Sequence, residues 1–366
     1  MAKKKSKLVG IIVLIIIGAG IGFLAGMLGA DAAKTLPKSV IVTLVLLFIP
    51  AFFLVIGFHE AGHALAGVMV KFEFKMYAVG PLLWEKEETG WTFKWNKNVN
   101  TSGGMVICMP TGTQNLKNRF SFYSAGGPLA SLLLAGISYL LAMIFSSWMI
   151  SYLFMMIAFL SICIFIATAI PLHTGGFTSD GGRIRNLQVG GDKARFELLI
   201  LKIITNSTGG TRPSDLEVKD LVEAIKLAKK IDAPFGVYLH SYFHQLTWDA
   251  GNVDAAEKHL QDYIDEIDSI PPGIQNAVWL DAAFFYAYAK RDLEKANSYW
   301  NQFKPAALIP KAQIFATEAS LHALKNERES SLKKIDEAII QIPNMIDRGI
   351  GIALSDKLAS LRNQLI

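Results

Sequence analysis

Three long windows of this 366-residue chain contain no Asp, Glu, Lys or Arg: Leu8 to Ala30, Ser39 to Phe58, and Phe120 to Ser179. A bilayer core takes roughly 20 apolar residues as a helix, because only a helix or a closed barrel satisfies its own backbone in lipid. The first two windows each fit one crossing. The third is long enough for two, with Ser146-Ser147-Trp148 as the turn between them. The expected core is therefore a polytopic bundle of about four helices: Leu8 to Gly29, Val40 to Val70, Phe122 to Phe145 and Ile150 to Ile170. After Asp180 charges return steadily and the rest reads as a soluble domain. With 52% hydrophobic residues overall, the composition is that of a membrane protein. The first window exceeds a cleavable signal's apolar stretch, so an uncleaved helix is expected despite the small residues around Asp31.

Charge orients this bundle. Lys3, Lys4, Lys5 and Lys7 precede the first helix, which puts the N-terminus inside by the positive-inside rule. Four crossings then return the C-terminal region to the cytoplasm. The net charge of +5 shows no interleaving of basic and aromatic residues, so nucleic-acid binding is not expected. Two cysteines, Cys108 and Cys163, give neither a disulfide framework nor a thiolate metal site.

Within the second apolar segment lies His59-Glu60-Ala61-Gly62-His63. Residues four apart share a helix face, so both imidazoles can reach one metal ion with Glu60 beside it. The spacing suits zinc, with the glutamate as general base. Ionisable groups at membrane depth are costly and usually functional. Two histidines leave a zinc site one protein ligand short. Asp180 is the first acid after the 60-residue uncharged window and arrives on the same side of the membrane, which makes it the candidate third ligand; a helix N-cap is its plainer reading, and His173 is an alternative ligand. His240 and His244 are also four apart but lack the glutamate, and read as helix packing.

Residues 71–119 form a cytoplasmic insertion. Phe74 to Leu83 and Trp91 to Trp95 flank the charged turn Glu85 to Gly90 as a β-hairpin, and Gly103 to Pro110 reads as a short strand or re-entrant piece. An edge strand here could hold an extended substrate by main-chain pairing. From Asp192 the pattern is helical. Segments around Gly251, Arg291 and Asn326 are alike, with a small residue (Ala256, Ala296, Ser331) at the same offset. Their spacing is near that of a tetratricopeptide array, so helical hairpins are expected. The domains are thus 1–38, an N-terminal helix and link; 39–191, a core with its insertion; and 192–366, a repeat-like cytoplasmic domain.

His59-Glu60-Ala61-Gly62-His63, then Gly126-Gly127-Pro128-Leu129-Ala130, then Ser179-Asp180-Gly181-Gly182 after a proline resemble, in that order, the site-2 protease family of intramembrane zinc metalloproteases. The resemblance covers about Val40 to Arg185. It implies zinc bound by His59, His63 and Asp180, Glu60 as general base, and substrate contacts at Gly127, Pro128, Thr168 and Pro171. It also implies membrane-spanning protein or peptide substrates, in regulated proteolysis or precursor processing. The chain departs from the family at Thr168, where Asn precedes x-x-Pro, and at Ser131, where Asn is frequent; both changes bear on substrate positioning more than on metal binding. A prokaryotic plasma membrane is the expected host, and the helical tail is expected to recruit a cytoplasmic protein. The competing reading is a non-catalytic scaffold of the same fold that holds a client helix. A metal transporter is disfavoured, since the third and fourth helices are nearly bare of polar groups.

Overall fold

The computed structural model describes residues 34, 36–96, 103–174, 177–233, 236–270, 275–305 and 309–366. The expected first helix, Leu8 to Gly29, lies outside them. The described residues divide into two compact units. One comprises those through Trp84, Phe93–Cys108 and Lys117–Gly190; the other comprises Glu85–Thr92, Met109–Leu116 and Gly191–Ile366.

Among the described residues, three helices of the first unit are long and apolar enough to cross a membrane: α1 (Lys38–Met69), α2 (Leu116–Ile144) and α3 (Trp148–Ala169). Their outward faces carry exposed Val45, Leu46, Leu133 and Ile144, the surface that hydrocarbon accepts and water does not. Ala51 and Val55 of α1 pack on Ile157 of α3, with Leu153, Phe154 and Leu160 around them. α1 and α2 meet differently. A Cβ on Gly62 would lie 2.3 Å from the Gly126 carbonyl oxygen, and a Cβ on Gly126 would lie 2.3 Å from that of Gly62. The backbones touch where neither helix has a side chain, the small-residue contact that membrane helices use. This explains the glycines inside both motifs and sets the turn carrying His59 and His63 against the one carrying Gly127.

Between α1 and α2 stands a four-stranded sheet of β1 (Phe72–Val79), β2 (Leu82–Glu87), β3 (Gly90–Trp95) and β4 (Met105–Pro110), in the order β3-β2-β1-β4. The residue pattern predicts one hairpin arm from Phe74 to Leu83. The structure splits it at Gly80-Pro81, where Gly80 takes φ +54° and packs so tightly on Phe53 that a Cβ would come within 2.8 Å of the ring. After α3 the chain makes a minimal antiparallel pairing of β5 (His173–Thr174) with β6 (Phe177–Thr178), then enters α4 (Asp180–Val189).

The second unit contains α5 (Gly191–Thr208), α6 (Val218–Ile231), α7 (Tyr238–Asp249), α8 (Val253–Asp265), α9 (Asn276–Tyr288), α10 (Leu293–Trp300), α11 (Lys311–Leu324), α12 (Arg328–Gln341) and α13 (Arg348–Leu365). Tight turns join α7 to α8, α9 to α10 and α11 to α12. Gly251, Arg291 and Asn326 sit in these turns, all left-handed, with φ of 83°, 52° and 60°. Asn252 and Asp292 then cap the following helices by accepting from Ala255 N and Lys295 N. Ala256, Ala296 and Ser331 are each fully buried. Trp248, Phe284, Phe285 and Leu358 anchor the main core of this unit.

Candidate metal centre

His59 and His63 occupy successive turns of α1 and are almost wholly buried, at 6% and 7% exposure. Their Nε2 atoms lie 3.5 and 3.4 Å from one oxygen, Oδ2 of Asp180. That carboxylate is delivered by a knotted turn. The Ser179 hydroxyl donates to Ile170 O at 2.6 Å and accepts from Leu172 N at 3.0 Å and Gly182 N at 3.1 Å. Ser179, not Asp180, is therefore the N-cap of α4, and Asp180 is left free to face the histidines. Gly181 is required for this approach: a Cβ there would lie 1.8 Å from Ala169 O at the end of α3.

The other nitrogens of the two rings are held from α2. His63 Nδ1 lies 2.9 Å from Tyr123 O, and a carbonyl only accepts, so Nδ1 carries the proton. The Gly127 amide, 3.3 Å from the same nitrogen, is then a contact and not a bond. His59 Nδ1 lies 2.9 Å from the fully buried Ser131 hydroxyl, which can accept from it in the same tautomer. Both Nε2 atoms then present lone pairs toward Asp180. Three acceptors converging without a proton between them call for a cation.

Geometry and space both fit one. Tetrahedral ligands at zinc distances stand ~3.3–3.5 Å apart, which matches the two observed separations. Room is made by Gly127. A Cβ on it would lie 2.3 Å from His63 Nε2 and 2.6 Å from His59 Nε2, inside the volume an ion would fill. Ring orientation by a carbonyl and a hydroxyl is the support that metal-binding imidazoles ordinarily have.

Glu60, adjacent to His59, meets the start of β4. The Val106 amide donates to its carboxylate, and Gly104, at φ +99°, passes so close that a Cβ would stand 3.0 Å from Glu60 Oε1. The Tyr123 hydroxyl donates to Val106 O at 3.3 Å. Burial raises the Cys108 thiol to about 12, so it stays protonated.

The residues expected at the centre are thus partly gathered there. His59, His63 and Asp180 form a group whose ligand atoms lie within 4.8 Å of one another and could hold a metal ion. Gly127 lines it, with Pro128 next in the same helix. Thr168 donates instead to Ile164 O at 2.9 Å, within its own helix, and Pro171 is exposed. Arg183 stacks over the Phe120 ring at 5.2 Å. Ser131, which the family comparison of motifs tied to substrate positioning, instead contacts a histidine.

The profile of peptidase family M50, the site-2 protease family, matches residues 47–231. The chain belongs to peptidase family M50. No curated protein and no solved structure matches it. Membership in M50 makes it a membrane metallopeptidase by family. The match runs past the membrane core to the end of α6. It stops before the three helix pairs, so no comparison bears on their tetratricopeptide reading.

Proposed function

We propose that this M50 member is a zinc-dependent intramembrane endopeptidase, cleaving transmembrane or membrane-associated segments of proteins or peptides in regulated proteolysis or precursor processing. The observation that carries the reading is the convergence of His59 Nε2, His63 Nε2 and Asp180 Oδ2 over the side-chain-free position of Gly127. His59, His63 and Asp180 would hold the zinc, which when bound supplies a Lewis acid that polarises a carbonyl and acidifies water.

The chain's own residues supply the proton transfers and the placement. Glu60 takes the proton of the attacking water and delivers it to the leaving amine nitrogen. Tyr123 O and Ser131 keep both imidazoles in the tautomer that leaves Nε2 unprotonated. A transmembrane substrate has its peptide bonds tied up internally, so it must unwind before attack. The extended segment would align along β4, an edge strand of the sheet whose Val106 main chain already faces Glu60. Gly127 and Pro128 would border it on one side, and Thr168 and Pro171 at the end of α3 on the other. The Thr168 hydroxyl oxygen can still accept a bond there, since its proton is spent within the helix.

In this reading the protein is multi-pass in a prokaryotic plasma membrane. Its N-terminus and helical tail are cytoplasmic, and the tail binds a cytoplasmic protein. The test is co-expression with epitope-tagged single-span membrane proteins, wild type beside Glu60→Gln. Cleavage by the wild type alone supports the enzyme, whereas a tagged protein bound equally by both and cut by neither supports the scaffold.

A further inference from the structure

A second group of His and Asp side chains that could hold a metal ion lies in the helical tail. His240 belongs to α7, and His259 and Asp262, three residues apart on one face, belong to α8. The left-handed turn at Gly251 brings α8 back along α7, and the three side chains meet across that helix pair. The pairing is not the i, i+4 pair visible in the sequence. His244 goes elsewhere: its Nδ1 donates to Ala256 O at 2.8 Å and its ring packs edge-on against Phe285.

The polar atoms of this cluster are left in an unusual state. His240 is 8% exposed, and Nδ1 of His240 and Nδ1 of His259 are both shut off from water without a hydrogen-bond partner among the described residues. Both nitrogens face the same oxygen, Asp262 Oδ2, at 3.7 and 3.9 Å, beyond hydrogen-bond length. Two buried, unsatisfied nitrogens on adjacent helices are costly unless something outside the chain satisfies them. Phe243 stacks on His259 at 4.8 Å and fixes that ring.

We infer that His240, His259 and Asp262 form a second metal site, for a zinc-class divalent ion, which clips α7 to α8. One ligand atom from each residue lies within 4.8 Å of the other two. Tetrahedral zinc ligands stand ~3.3–3.5 Å apart, so the two imidazole–carboxylate separations of 3.7 and 3.9 Å need to close by a few tenths of an ångström, and the two imidazoles, within 4.8 Å of each other, by up to ~1.5 Å. The Asp262 side chain is 42% exposed and gives the ion its way in, with the fourth position open to water or an outside ligand. The donor set, two neutral imidazoles and a carboxylate, favours zinc over magnesium or calcium, which take oxygen. The inference stands apart from the peptidase reading, since no residue is shared.

The test is zinc per chain in the full-length, detergent-solubilised protein after equilibration with micromolar zinc and removal of the excess. Wild type is compared with Asp262→Ala, Asp262→Asn, His259→Ala, Asp180→Ala and the Asp180→Ala/Asp262→Ala pair. The expected result is loss of one zinc per chain in each tail variant, and of a further one when Asp180→Ala is added. Chelation should also speed hydrogen exchange of α7 and α8 in the wild type and leave the Asp262→Asn rate unchanged, a readout that a merely misfolded variant would not give. Equal zinc in wild type and all tail variants overturns the tail site while leaving the membrane centre standing. Zinc lost with Asp262 but not with Asp180 does the reverse.

Discussion

Replacing Gly127 by alanine adds one methyl group at the place where the membrane centre is emptiest. That methyl would lie 2.3 Å from His63 Nε2 and 2.6 Å from His59 Nε2. Carbon and nitrogen in contact stand ~3.4 Å apart, so the overlap is about 1 Å on each ring. Neither ring can simply step back, because Tyr123 O and Ser131 Oγ hold the far nitrogens at 2.9 Å. The methyl therefore competes with the ion for its volume. Losing a supporting partner alone costs metal sites about 10–100-fold in affinity, and blocking the ion's position exceeds the upper figure. Overpacking adds about 1–3 kcal/mol of strain to the fold. Gly136, on the same helix, supplies the control, since a Cβ there meets nothing within 4 Å. Gly136→Ala should leave metal content and cleavage intact and firm the helix by up to about 1 kcal/mol. The assay is metal per chain and cleavage of a tagged substrate for both variants in one detergent. Gly127→Ala with the wild type's metal content would refute the reasoning, because the cradle would then lie elsewhere.

Further outcomes follow from other contacts. Glu60→Gln should keep its metal and lose at least about 100-fold in cleavage rate, the smallest contribution expected of a general base; metal analysis beside a rate measurement checks both halves. Ser131→Ala should weaken metal binding by about 10–100-fold, measured by competition with a chromophoric chelator, while leaving the helices folded. In the tail, two buried groups oppose one another in acid. His244 is held down at about 4 from 6.5 by burial, so its stabilisation is present above pH 6.5 and lost as pH falls toward 4. Asp281 is held up at about 6 from 3.8 by burial, so its contribution is present below pH 3.8 and lost as pH rises to 6. Each amounts to about 3 kcal/mol, and between pH 4 and 6 they largely cancel. Asp281→Asn should therefore slow hydrogen exchange of α9 at pH 8 and leave the tail clearly less stable at pH 4 than at pH 6.5; a flat pH profile in that variant contradicts the assignment.

The charge-free windows carried most of the architecture, because lipid tolerates so few alternatives. They located α1 and α3 to within two residues at either end. α2 begins six residues earlier than its apolar stretch, at Leu116, since Lys117 and Arg119 lie in a helical turn that hydropathy reads as outside. His59 and His63 were legible from spacing, and Asp180 from its isolation. What supports them was not. Tyr123 holds His63 through a main-chain carbonyl, which leaves no mark on residue type. Ser131 was visible as a departure from the family pattern, yet its partner, His59, lies 72 residues away on another helix. The break at Gly80-Pro81 was hidden because both flanks are strand formers. The His240, His259 and Asp262 cluster escaped for a similar reason: reading one helix at a time pairs His240 with His244, whereas the fold pairs it across α7 and α8.

The central claim is that Asp180 joins His59 and His63 around one catalytic metal. It is tested most directly by the difference in zinc per chain between wild type and Asp180→Ala, both full-length and purified side by side. The account predicts that the variant holds one zinc fewer and cleaves nothing. Equal zinc in the two proteins would contradict it.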